Sequence, residues 1–296
     1  MPPAVAERVL NANGLRLACR LWGDASGLPA LALHGWLDNA ASFDALASRL
    51  PQLQLCALDL PGHGLSEHRP PAASYHFVDY VADVLAAADA LGWPRFALIG
   101  HSLGAGIATL LAVVAPERVV RVALIEGLGP GASPPEDAPS VLRRALAESQ
   151  RSGRSPRTLY PGLEEAVRAR MNGIGKLSEA AARVLCERGL ESMPDGYRWR
   201  NDRRLYAGSR LRMSEAHVLA FIREMCVPTL LIRAEPGLAT DARVQQAREA
   251  AHPALRVERM SGSHHLHMEE QCTQVAGLIA AFLVNHAAAS GSGEAL

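Results

Sequence analysis

Residues 96–114 read FALIGHSLGAGIATLLAVV, and no other stretch restricts the fold as tightly. An apolar run of strand length meets the box Gly100-His101-Ser102-Leu103-Gly104. A helix of small residues follows at once. A G-x-S-x-G box between strand and helix demands a sharp turn that holds the serine in a strained backbone conformation with its hydroxyl exposed. Glycines flank the serine because a side chain there would crowd the adjoining strand and helix, and Gly106 allows equally close packing one turn on. The new helix N-terminus adds a partial positive field beside the hydroxyl. Ser102 is thus a candidate nucleophile, and the alternative is a tight glycine turn with an idle surface serine.

Around this box, short apolar runs alternate with helical patterns. Strands are predicted at 15–22, 30–33, 53–58, 96–99, 119–125, 227–234 and 255–260. Helices are predicted at 42–50, 77–91, 103–114, 241–251 and 270–286. Such alternation implies an α/β fold, a parallel sheet covered on both faces. It breaks at Gly127, where GLGPGASPPEDAPS leads into Arg- and Ala-rich helical stretches lasting to about residue 225. The expected organisation is a core over 1–126 and 226–288, a helical insertion over 127–225, and a disordered tail over 289–296.

Composition excludes several function classes. Lys plus Arg equals Asp plus Glu at 30 each, so the formal net charge is zero and no basic footprint for nucleic acid is expected. No apolar run reaches the ~20 residues that span a bilayer. The N-terminus lacks the basic and apolar regions of a signal peptide. Cys19, Cys56, Cys186, Cys226 and Cys272 are odd in number and lack CxxC spacing, which suggests reduced thiols and a cytoplasmic location.

A hydroxyl nucleophile needs an oxyanion hole and a base. Two backbone N–H groups must face the developing charge. Leu103 follows the nucleophile and supplies one; Trp36, in the His34-Gly35-Trp36 segment after strand 30–33, supplies the other. The imidazole of His34 is then a loop-ordering group. Trp36 and His101 are expected to line the substrate pocket. The base is sought in Ser263-His264-His265-Leu266-His267, after the last strand. Imidazole suits the task because its ordinary pKa is ~6.5. His264 directly follows the strand-end turn and is favoured over His265. A metal site on these histidines finds no further Cys or Asp cluster in the sequence to complete it, so neither metal nor cofactor is expected.

The chain resembles the α/β-hydrolase superfamily. The matching pieces are HGW at 34–36, DLPGHGLS at 59–66, GHSLGAG at 100–106, VPTLLIRAEPG at 227–237 and GSHHLHME at 262–269, in the expected order over nearly the whole chain. HGWLDNAASFD, IEGLGP and SHHLHME look similar to the serine hydrolase-like, Kraken-type branch. The resemblance implies a mostly parallel eight-stranded sheet, a helical cap over 127–225, and His264 as base, five residues before Glu269. It implies that Asp59 and His63 belong to a structural turn. The serine argues against the dehalogenases and epoxide hydrolases that attack through a carboxylate. The lack of a proline after Trp36 weakens a perhydrolase-like reading.

One piece departs from the pattern. The base needs a carboxylate on its second ring nitrogen. Many superfamily members carry that aspartate just past the strand matching 227–234, where this chain has Ala234-Glu235-Pro236-Gly237. Glu126, ending the strand VVRVALI beside the nucleophile's strand, is the first replacement, and its extra methylene helps it cross one ~4.8 Å strand spacing. Asp241 is second, although ATDARVQQ suits it to capping a helix. Glu235 is third. The competing reading of Glu126 is a carboxylate paired with an arginine of the insertion. The expected function is a serine hydrolase acting on a small-molecule carboxylic ester or related acyl bond, with carbon–carbon or thioester hydrolysis on the same triad as alternatives. A non-catalytic ligand-binding protein on a degraded hydrolase frame is the rival from a different class.

Overall fold

The computed structural model describes residues 5–152, 158–238 and 241–284. The elements follow in chain order: β1 (Ala6–Ala12), β2 (Leu15–Trp22), β3 (Leu28–Leu33), α1 (Asp44–Ala47), β4 (Leu53–Leu58), α2 (Asp79–Ala90), β5 (Phe96–His101), α3 (Leu103–Val114) and β6 (Val119–Ile125). Then come α4 (Ala138–Ser152), α5 (Leu163–Met171), α6 (Glu179–Gly189), β7 (Leu190–Met193), β8 (Gly196–Trp199), α7 (Glu215–Glu224), β9 (Thr229–Pro236), α8 (Ala242–Ala251), β10 (Leu255–Gly262) and α9 (Cys272–Leu283). Eight strands form one sheet in the order β1-β2-β4-β3-β5-β6-β9-β10. The pairs β1–β2 and β2–β4 are antiparallel and the remaining pairs are parallel, which is the mostly parallel α/β sheet that the alternation implies.

Successive strand residues point to opposite faces, so continuous apolar runs fill two layers at once. Leu31 and Leu33 of β3, Leu98 of β5 and Leu124 of β6 pack on one face with Val84 and Ile107. Ala30, Ala32, Ile99 and Ile125 pack on the other with Leu46 and Ile279.

Two elements differ from the sequence reading. The polar segment AERVLNA forms the edge strand β1, paired with β2 along its whole length. The segment after β6 is not wholly helical: β7 and β8 make an antiparallel hairpin, with Met193 opposite Gly196. Its helices have a small core of their own around Ala166, Val167, Ala182 and Leu185. They dock on the loops after β3 and β4. The Arg188 guanidinium sits 2.9 Å from Asp59, the Asn39 amide donates to the Leu185 carbonyl at 2.9 Å, and Arg170 lies 2.6 Å from Asp38.

The tail expected over 289–296 lies outside the described residues, as does the end of the helix expected to reach 286. Among the described residues no helix is long and apolar enough to cross a membrane. All five cysteines are free thiols, four of them buried and Cys226 exposed.

Candidate active site

Parallel strands deliver their carboxyl ends to one edge of the sheet, where open α/β folds place their sites. Ser102 sits there, between β5 and α3, with φ 51° and ψ −108°. A non-glycine residue with positive φ costs of order 1–3 kcal/mol and persists only where the surroundings enforce it. They do here: Ser102 N–H donates to the Ile125 carbonyl at 2.9 Å, and Gly104 N–H donates to the His34 carbonyl at 3.1 Å. The turn packs so closely on β3 that a Cβ on Gly104 would lie 2.0 Å from the Leu33 carbonyl oxygen.

Ser102 opens onto a cavity of about 730 Å³, whose walls include Trp36, Leu103, Glu126 and His264. Leu103 is the first residue of α3, so its N–H has no intrahelical acceptor. The Trp36 indole stacks edge-on against Tyr206, with centroids 5.5 Å apart. His34 is wholly buried. Its Nδ1 donates to the Gly35 carbonyl at 2.7 Å and its Nε2 accepts from Leu60 N–H at 3.0 Å, which ties the loops after β3 and β4 together. Burial lowers its pKa to about 4.

The remaining carboxylates and histidines separate clearly. His264 Nδ1 lies 3.2 Å from Glu126 Oε2, and both side chains are only 4% exposed. The other Glu126 oxygen accepts from Ala234 N–H at 2.7 Å, and Oε2 also faces Leu238 N–H at 3.4 Å. Among the described residues the ion partner of Glu126 is this histidine, not an arginine. Gly237 explains how the carboxylate fits. Its φ is +56°, and a Cβ there would stand 2.8 Å from Glu126 Oε2. The glycine that replaces the usual aspartate leaves the space that the Glu126 carboxylate fills.

Asp241 caps α8, its side chain accepting from Arg243 N–H at 2.8 Å. The Glu235 side chain is 64% exposed and faces Arg259 at 3.8 Å. Asp59 is wholly buried in the turn after β4, accepting from Ala40 N–H at 2.7 Å and Leu65 N–H at 2.8 Å besides pairing with Arg188. His63 packs edge-on against His34 with centroids 5.0 Å apart.

His101 does not stand where the sequence reading put it. It is fully buried and absent from the cavity wall, because the turn that presents Ser102 directs the preceding side chain beneath the loop. Its Nε2 sits 3.0 Å from the His264 carbonyl oxygen, and its ring packs within 5 Å of His264, His265 and His267 (centroid distances 4.7, 4.9 and 4.4 Å). His265 turns away from Ser102 toward Asp38, with Nε2 3.2 Å from Asp38 Oδ2. Burial opposes charge on Asp38, but the His265 hydrogen bond and the Arg170 guanidinium more than offset it and hold the carboxyl well below its ordinary range. Asp38 and Arg170 were not singled out by sequence reasoning: the contacts span 227 and 132 residues of chain, and no local pattern announces them.

A family model described as the alpha/beta hydrolase fold matches residues 31–151. A serine hydrolase-like protein of Dictyostelium discoideum is 32% identical over 273 residues, covering 87% of this chain and 76% of that one. A crystal structure of a hypothetical protein from Pseudomonas aeruginosa is 44% identical with a TM-score of 0.88, covering 93% of this chain and 98% of that one. A thioesterase domain from the curacin biosynthetic pathway is 25% identical with a TM-score of 0.81, covering 93% and 99%.

Proposed function

Because the chain belongs to the serine hydrolase-like branch of the α/β-hydrolase family and is thus a hydrolase, we propose that it cleaves a carboxylic ester or related acyl bond through Ser102, His264 and Glu126. The observation that carries this reading is the 3.2 Å approach of His264 Nδ1 to Glu126 Oε2, on the wall of the cavity that Ser102 also lines. The carboxylate accepts the Nδ1 hydrogen and leaves the Nε2 lone pair free for the serine hydroxyl. Ser102 Oγ attacks the substrate carbonyl as His264 takes its proton. The Trp36 and Leu103 N–H groups hold the oxyanion. His264 then protonates the leaving group, and a water it activates releases the acid from the acyl-enzyme. The Glu126 carboxylate stabilises the imidazolium. The segment 127–225 acts as a cap, and its cavity-facing residues Leu205, Tyr206 and Met213 meet the acyl or alcohol part.

A fluorophosphonate probe tests the reading. The wild-type chain is expected to label and Ser102→Ala to lose the label. A folded wild-type chain that never labels is a binding protein on a hydrolase frame instead. Thioester cleavage is the second reading, favoured by the likeness to the thioesterase domain. Oxyesters and thioesters of the same acyl group, compared by kcat/KM, separate the two.

A further inference from the structure

Beneath the nucleophile, away from the cavity, three buried polar side chains from separate parts of the chain converge. Asp38 comes from the loop after β3, His101 ends β5, and His265 follows the proposed base. Asp38 Oδ2 lies 3.2 Å from His265 Nε2 and 3.7 Å from His101 Nδ1. The three ligand-type atoms lie within 4.8 Å of one another. In a tetrahedral zinc site with bonds of ~2.0–2.2 Å, the donor atoms stand roughly 3.3–3.5 Å apart. The two Asp38 spacings already approximate that figure.

The hydrogen bonding prepares the set. His101 Nε2 faces the His264 carbonyl oxygen at 3.0 Å, and a carbonyl can only accept. The ring hydrogen therefore sits on Nε2 and the lone pair on Nδ1. That Nδ1 is buried with no hydrogen-bond partner among the described residues, and it points at a carboxylate oxygen. Acceptor facing acceptor in a buried site is costly unless something positive stands between them. A backbone carbonyl that fixes a histidine tautomer is also the usual outer partner of a metal-bound imidazole.

We propose that Asp38, His101 and His265 bind a zinc-like divalent cation through Oδ2, Nδ1 and Nε2, and that its binding inhibits the enzyme. Two imidazoles and one carboxylate suit zinc or copper(II), not magnesium or calcium, which favour oxygen. Coordination through Nε2 takes the neutral imidazole of His265 with its hydrogen on Nδ1, so the hydrogen that faces Asp38 moves from Nε2 to Nδ1 as the metal binds. The loop of residues 173–176, largely exposed, packs on His265: a Cβ on its Gly175 would touch His265 Nδ1 at 2.7 Å. Arg170, 2.6 Å from the other Asp38 oxygen, opposes a second positive charge and limits the affinity. Inhibition rests on the Ser102–His264 reading, because His101 adjoins that serine and His265 adjoins that histidine. The binding does not rest on it.

Zinc affinity is measured by competition with a chromophoric indicator, in a Cys226→Ser background that removes the exposed thiol. One zinc per chain is expected. Asp38→Asn and His265→Gln should each weaken it more than tenfold, while Arg170→Met should tighten it several-fold or more. Copper(II) bound to the otherwise unaltered chain should show two imidazole nitrogens by electron paramagnetic resonance, a readout that needs no ligand variant to fold. Unchanged affinity in folded Asp38→Asn and His265→Gln, no binding at millimolar zinc, or a single nitrogen on copper overturns the site. Zinc that binds without slowing fluorophosphonate labelling overturns the inhibitory role alone. A chain that binds zinc but never labels marks the failure of the hydrolase reading, with the metal site intact.

Discussion

Glu126→Gln removes one charge and almost no volume, so it isolates the electrostatic part of the proposed triad. In the wild-type chain the carboxylate accepts from Ala234 N–H at 2.7 Å and stands 3.2 Å from His264 Nδ1. The glutamine carbonyl can keep the Ala234 bond, which places its NH2 against His264 Nδ1 and Leu238 N–H. Donor then meets donor unless the imidazole shifts its hydrogen to Nε2, where Ser102 needs a lone pair. The lost attraction between carboxylate and imidazolium at 3.2 Å is about 5 kcal/mol at an effective dielectric of ~20. At ~1.36 kcal/mol per decade, that is a fall of roughly 10³–10⁴ in kcat, with KM little changed. Tautomer loss in a triad costs about as much, and the two effects overlap. The assay is the steady-state rate and acylation burst on a short p-nitrophenyl ester, with circular dichroism and Tm to confirm folding. A folded Glu126→Gln chain within tenfold of wild-type kcat refutes the reasoning.

Gly237→Ala should lose about 1–2 kcal/mol of stability from its left-handed backbone, and more activity than that loss explains, since the new Cβ meets Glu126 Oε2 at 2.8 Å; denaturant midpoints beside kcat check this, and unchanged kcat removes the argument from space. Asp241→Asn should change stability by less than ~0.5 kcal/mol, because asparagine caps as well as aspartate, and turnover by no more than a few-fold; a thousandfold loss would transfer the acid to Asp241. Burial lowers the pKa of His34 to about 4 and of His63 and His267 to about 3, so these rings stay neutral in the folded chain while the unfolded chain protonates below its ordinary 6.5. Their contribution is complete above that value and is lost as pH falls toward 4, partly offset by Asp44, which burial pushes up to about 6 and which therefore takes up a proton in the folded state over the same range. Urea unfolding should show stability falling by roughly 2–4 kcal/mol per pH unit between pH 6 and 4.5, and a flat profile there contradicts it.

The parallel strands were legible because each is an unbroken apolar run closed by a turn, and the strand–GHSLG–helix junction was legible because few other structures tolerate it. β1 was not, since AERVLNA carries charge and is largely exposed on a sheet edge, where pairing with β2 substitutes for burial. The β7–β8 hairpin did leave a mark: Pro194-Asp195-Gly196 is a turn signal, overlooked inside an Arg-rich stretch that reads as helix. His101 was misplaced because adjacency to a nucleophile in sequence does not predict a shared face when the turn between them has positive φ. The Asp38 network was out of reach altogether, since one sequence carries no record of which distant polar groups meet.

With Glu126 as the proposed triad acid, a motif that lacks its usual aspartate still describes a complete site. An acid stabilises the imidazolium by where its oxygen lies, not by which strand holds it. β9 separates β6 from β10 in the sheet, so an acid at the end of β6 must reach over the end of β9 to meet the histidine that follows β10. Three local departures agree with that reach. Residue 126 is a glutamate, one methylene longer than aspartate. Its φ is +56°, a strained value for a side chain of that size, which redirects the carboxylate as the strand ends. Residue 237 is a glycine, also with φ +56°, at the point over which the carboxylate passes. A carboxylate that merely filled a polar gap would require neither the strain at 126 nor the missing side chain at 237. Strain of this kind persists where the surrounding structure over-determines it and clusters at functional sites, so the glycine at 237 and the strained glutamate at 126 both support the proposed role of Glu126 as the triad acid.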